Sequence, residues 1–178
     1  EAVELICGRV TTLADKPDLT GEPQESWGWE VWLHYWIEQR LAWYRSIGLP
    51  AEHLELYWQT GDELAHYARA CVDIEYAFPF GVQELEGIAA RGDFDLTQHQ
   101  RHSGKQMDVF DEALKQAADK LDAAAKEAFT EKVVAEWTAR NQPAEAARAF
   151  VAKLFEGKYV PHVVEPSAGT DRLALALL

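Results

Sequence analysis

Glu165-Pro166-Ser167-Ala168-Gly169-Thr170-Asp171-Arg172 lies near the end of the chain, between two apolar stretches. Residues 159–164 before it are rich in Val and Tyr and predict a strand. Pro166 to Gly169 predicts a turn, and an apolar helix is expected from about Thr170. Two carboxylates, two hydroxyls and one guanidinium thus fall within eight residues. Alone, the stretch has a plain explanation, in which Ser167 caps the helix and Arg172 pairs with a surface acid.

Outward from that point, residues 111–156 are rich in Ala, Lys and Glu, with Leu114, Ala118, Leu121, Ala125 and Ala128 on one helical face. Asn141-Gln142-Pro143 interrupts them, Ala147, Phe150, Val151 and Leu154 mark a second helix, and Gly157 ends it. The expectation is a helical hairpin with a solvated outer face of alternating charge. Asp93 is placed to cap a short helix through about Arg101. Cys71–Phe78 and Val82–Ala89 read as strands joined by Phe78-Pro79-Phe80-Gly81. Leu54, Leu56 and Trp58 alternate as a short strand, and residues 61–69 as one or two helical turns. Trp29, Trp32, Leu33, Trp36, Ile37, Tyr44 and Ile47 follow helical spacing, from an expected cap at Ser26 to a stop at Gly48 and Pro50. Trp27, Trp29, Trp32 and Trp36 are read as helix-to-sheet packing rather than a ligand cage. Residues 2–12 carry β-branched side chains and predict a strand. Strands and helices mix irregularly, so the fold class expected is α+β with a mostly antiparallel sheet flanked by helices.

The 178 residues are 48% hydrophobic and 26% charged, enough for a domain with a real core. No apolar run approaches membrane-spanning length, so no membrane association is expected. Cys7 and Cys71 are the only two cysteines, which rules out a disulfide framework or a four-thiolate zinc site and fits the reducing cytosol. The net charge of −13 opposes binding to phosphate backbones. The first residues, Glu1-Ala2-Val3, read as a cut into a longer sequence.

The 165–172 stretch resembles the third signature motif of class II aminoacyl-tRNA synthetases. The glycine-specific family, the glycine–tRNA ligases, is similar in the flanking Tyr159-Val160-Pro161-His162 as well. Further blocks resemble that family in the same order. Trp36-Ile37-Glu38-Gln39-Arg40-Leu41-Ala42-Trp43-Tyr44 and Ile47-Gly48-Leu49-Pro50 come first. Leu64-Ala65-His66-Tyr67-Ala68 and Asp73-Ile74-Glu75-Tyr76 follow, then Glu84-Leu85-Glu86-Gly87-Ile88-Ala89, Arg91 and Asp93-Phe94-Asp95-Leu96, and finally His102-Ser103-Gly104-Lys105. The resemblance covers roughly residues 26–110 and 158–178; residues 1–25 do not match the family's second motif. It implies a partial class II catalytic core, the carboxyl-terminal half of that domain, with residues 1–178 as a single partial domain and 111–156 as a helical insert within it.

The resemblance also implies a chemistry. Glycine and ATP form an adenylate, and the glycyl group then passes to tRNA. Such a site needs cations near phosphate, a carboxylate for Mg²⁺ and a small acidic pocket for an ammonium. The resemblance gives Arg172 the ATP γ-phosphate, Glu165 and Ser167 the glycine, and Glu84 the ATP-bound Mg²⁺. Arg172 and Glu84 are the groups placed at the reacting phosphates. Arg91 serves either ATP phosphate or an ion pair with Asp95. Strand alternation puts Glu86 on the same face as Glu84. The expected partners are glycine, ATP and, through regions outside these residues, tRNA; the parent enzyme is expected to be a homodimer. The other class of function is a synthetase-derived binding or structural module that folds without catalysing. Zinc at His99 and His102 lacks a third ligand, and His162, Ser167 and Asp171 lack the surroundings of a hydrolase triad. His66-Tyr67 reads as a packed pair.

Overall fold

The computed structural model describes residues 1–178. Its helices and strands, in chain order, are α1 (Ala2–Cys7), α2 (Trp29–Ser46), β1 (Leu54–Trp58), β2 (Ala70–Phe78), β3 (Gly81–Gly92), α3 (Phe94–Ser103), β4 (Val109–Phe110), α4 (Glu112–Asp119), α5 (Ala123–Ala139), α6 (Ala144–Phe155), β5 (Lys158–Tyr159), β6 (Val163–Ala168) and α7 (Thr170–Ala176). The class is α+β, with a four-stranded antiparallel sheet ordered β1-β2-β3-β6 and a two-stranded ribbon β4-β5. No helix is long and apolar enough to cross a membrane. The chain forms two compact units.

One unit, Thr11–Gln98 with His162–Leu178, holds the four-stranded sheet. Period-two alternation sends Val72, Ile74, Tyr76 and Phe78 of β2 to one face. There they meet Leu33, Ile37, Leu41 and Tyr44 of α2 in a continuous core. Gly48, at φ +100, lets the chain leave α2 and turn to Pro50. The helix starts later than expected, at Trp29 with Gly28 as its cap. Residues 26–28 are held by Thr11 instead: Thr11 N–H donates to Ser26 O at 2.6 Å, and Gly28 N–H to Thr11 O at 2.9 Å. Trp27 is consequently buried outside the helix, while Trp36 of the helix is exposed. Residues 61–69 contribute a single 3-10 turn, Gly61–Glu63.

Two bulges interrupt β3. Ile74 pairs with Glu86 and Glu75 with Glu84, leaving Leu85 extra; on the other side Ala90 pairs with Val164 and Gly92 with Val163, leaving Arg91 extra. An extra residue reverses the alternation beyond it. Glu84 and Glu86 therefore do not share a face, contrary to simple alternation. Glu86 is 1% exposed on the core side, where both its oxygens accept from Arg40 Nε, at 2.7 and 2.9 Å. Burial, and then the Glu86 carboxylate, hold the neighbouring Tyr44 phenol well above its ordinary range. The last strand is also displaced from expectation: β6 runs from Val163 to Ala168, and Pro166 lies within it rather than in a turn. An edge strand tolerates proline because one side of it has no partner to lose.

The second unit, Glu1–Val10 with His99–Pro161, is mainly helical. Residues 2–7 form α1, not a strand. The expected helix pair is present as α5 and α6, meeting at Val133, Ala147 and Val151 with Trp137 and Phe150 packed beside them. The stripe from Leu114 to Ala128 is divided, however. Asp122 accepts from Ala125 N–H at 2.8 Å and starts a new helix, so α4 ends at Asp119. Gly157 closes α6 at φ +78, and a Cβ there would stand 2.8 Å from Lys115 Cβ and 2.9 Å from Asp111 O. Gly157→Ala is expected to destabilise this unit by about 2–3 kcal/mol, read as a lower urea midpoint. An unchanged midpoint would show that the backbone relaxes there at no cost.

Candidate active site

The face of the sheet opposite α2 carries a cleft of about 240 Å³. Its floor follows from strand register. Asp73, Gly87 and Ser167 lie in one row across β2, β3 and β6, and Cys71, Ala89 and Glu165 in the next. Glu84 and Arg91 stand on β3 at either end of this grid, and Gln59, Tyr67 and Ala68 also line the cleft. Glu84, Arg91, Glu165 and Ser167, read from distant parts of the sequence, thus share one cleft. Arg172 does not line it. From α7 it reaches the rim, where Nη1 donates to Glu84 O at 2.6 Å and stands 3.6 Å from Glu84 Oε2.

Arg91 is committed to ion pairs. Its Nε and Nη2 donate to Asp95 at 2.5 and 3.1 Å, and Nη1 donates to Glu165 Oε2 at 2.6 Å. Its guanidinium lies 4.1 Å from the Tyr67 ring centre. Asp95, then Glu165, raise its affinity for the proton further above its already high value. The pairing with Asp95 is the alternative that the geometry realises. Its second effect was not foreseen: Arg91 fixes one oxygen of Glu165 and leaves the other without that bond. The bulge at Arg91 frees it from the strand pairing to make this reach.

The sequence reading overlooked Asp73, Gln59 and Cys71. The alternation that buries Val72 and Ile74 already puts Cys71 and Asp73 on the opposite face, so that signal was present. Asp73 is 8% exposed, and its two oxygens accept from Gln59 Nε2 at 3.1 and 2.9 Å. Burial, followed by the charges of Asp73 and Glu84, pushes the Cys71 thiol up to about 11. His66 packs edge-on against Tyr67 and Phe94 at centroid distances of 5.3 and 5.6 Å. His99 and His102 are exposed, and no group of three His, Cys, Asp or Glu side chains is placed to hold a metal ion.

No protein-family model matches the chain. Curated relatives do. The glycine–tRNA ligase of Thermus thermophilus is 42% identical over 149 residues, which cover 84% of this chain and 24% of that protein. That of Treponema pallidum is 40% identical over 147 residues, covering 83% and 24%. That of Rhodopirellula baltica is 39% identical over 157 residues, covering 84% and 25%. The chain spans about a quarter of the length of the curated relatives it matches. Over that quarter, with the antiparallel sheet and its acid-lined face in place, the chain is similar to the glycine–tRNA ligases.

Proposed function

We propose that this chain supplies the glycine pocket and the γ-phosphate side of a glycine–tRNA ligase active site. The observation that carries this reading is the convergence of Glu84, Glu165 and Ser167 on one cleft with Arg172 at its rim. In the reaction, a glycine carboxylate oxygen attacks the α-phosphorus of ATP and the bond to the bridging β-oxygen breaks. Pyrophosphate leaves, and a tRNA ribose hydroxyl later displaces AMP from the glycyl carbonyl. Positioning and charge carry most of such a transfer. Glu165 and Ser167 hold the ammonium and orient the substrate carboxylate outward. Arg91 fixes Glu165 without neutralising the cleft, because Asp95 shares its charge. Arg172, 48% exposed, turns its remaining N–H groups to the γ-phosphate.

Mg²⁺ fits this arrangement as an ion carried by ATP. The chain offers it the exposed Glu84 carboxylate and no group of three ligand side chains, and Mg²⁺ commonly takes one or two carboxylates beside phosphate oxygens. Bound there, it would offset phosphate charge. The net charge of −13 leaves the grip on tRNA to other regions of a longer protein. The same reading places the enzyme in the reducing cytosol, as a homodimer.

Glycine-dependent ATP–pyrophosphate exchange tests the proposal. The chain extended upstream with the corresponding segment of the Thermus thermophilus relative is expected to exchange with glycine and not with alanine. A folded extended chain without exchange would overturn the catalytic reading in favour of a synthetase-derived binding module, a role that the short span of the relatives also accommodates.

A further inference from the structure

The cleft has a centre that none of the assigned groups occupies. Its middle column is Gly87 and Ala89, flanked by Asp73 and Cys71 on β2 and by Ser167 and Glu165 on β6. Strands stand ~4.8 Å apart, so a column with nothing larger than a methyl group makes a trough between two walls. Gly87 is the residue of that column with no side chain at all. Its backbone is not in the left-handed region, so conformation does not require glycine there. A Cβ at Gly87 would meet Asp73 Oδ1 at 3.4 Å and Glu84 Oε1 at 3.5 Å, and nothing else within contact distance. The space left by the absent side chain is bounded by two carboxylate oxygens.

Asp73 also lacks a cation. It is buried, yet the group that holds it is the neutral amide of Gln59. The one cation lining the cleft, Arg91, is divided between Asp95 and Glu165. A buried carboxylate without a counter-charge is unfavourable unless a partner arrives. The raised Cys71 thiol, in the next row, is consistent with the same negative field.

We propose that Asp73 is a specificity-determining residue that receives the substrate ammonium over Gly87, with Gln59 as the positioning residue that holds its carboxylate. This rests on the glycine reading above and deepens it. The ammonium enters a trough walled by Asp73 on one side and Glu165 on the other, with Gly87 beneath it. A side chain at Gly87 would occupy the seat. The cleft selects its substrate by charge at the floor as well as by lack of room.

The test is calorimetric titration of the 178-residue chain with glycine and with glycolate, which replaces the ammonium by a hydroxyl. Wild type is expected to prefer glycine by at least about tenfold, the range of a charge-assisted hydrogen bond. Asp73→Asn should remove most of that preference by weakening glycine while leaving glycolate within about twofold. A merely structural role would weaken both ligands alike. Gly87→Ala should weaken glycine at least about tenfold with an unchanged thermal midpoint, and it carries the test if Asp73→Asn does not fold. Loss of the preference in Glu165→Gln but not in Asp73→Asn, or normal glycine binding by Gly87→Ala, overturns the assignment of Asp73 alone. A wild-type chain with no preference for glycine overturns the glycine reading with it.

Discussion

Glu165→Gln is expected to weaken glycine binding roughly tenfold to a hundredfold and to leave ATP binding within about twofold, the scale of one hydrogen bond to a charged group. The substitution keeps an oxygen that Arg91 can still bond, so it removes charge with little change of shape. Glu165 is 43% exposed, and water screens part of the loss, which keeps the effect below that of a fully buried pair. Arg172→Ala should do the reverse, because Arg172 stands at the rim beside Glu84 and outside the cleft lining. Calorimetry with each ligand separately measures both variants. If Glu165→Gln damages ATP binding as much as glycine binding, the division of roles between β6 and α7 fails.

Arg40→Leu is expected to destabilise the sheet unit by about 3 kcal/mol, because it leaves Glu86 buried and charged without its partner. Glu86→Leu alone should cost less, since Arg40 is 24% exposed and can turn its charge to water. The double variant should recover much of the loss, as a well-packed apolar pair often replaces a buried ion pair without penalty. Urea unfolding of the three variants gives the coupling directly. Additive effects would show that the pair contributes no more than its separate side chains. The pair lies directly behind the cleft floor: Arg40 ties α2 to β3 one residue from Gly87, so the chemistry on one face is anchored through the other.

Long periodic segments were legible in the sequence. Residues 71–78 read as a strand and fall in β2, though which of its faces is buried emerged only from the packing of Val72, Ile74, Tyr76 and Phe78; the helical spacing of Leu33, Ile37 and Tyr44 marked three of the buried positions of α2. The residues assigned to the site came from resemblance, and four of the five line one cleft. What escaped depends on events that no local pattern encodes. Whether Glu86 sits beside Glu84 or behind it turns on one bulged residue, and bulges form through the partner strand. The start of α2 depends on Thr11, distant in sequence, pairing with residues 26–28. Residues 2–7 are too short a segment for propensity to separate helix from strand, and tertiary packing decides. Asp73 was visible in the alternation of β2 but attracted no attention, because a lone carboxylate on a strand face ordinarily meets solvent.

The two bulges of β3 also bear on how faithfully the chain finds its native pairing. A regular antiparallel hairpin can slip by two residues and keep every side chain on its own face, so hydrophobic patterning alone does not forbid that error. Here the slip would have to carry the irregularity at Leu85 past β2 and the one at Arg91 past β6 together. Each mark is keyed to a different neighbour, so a shift that suits one partner misplaces the other. Between the marks lies the segment that brings Gly87 opposite both Asp73 and Ser167. Those irregularities act as a two-sided ratchet on the sheet, and the alignment they protect is the one on which the proposed seat for a very small ligand rests.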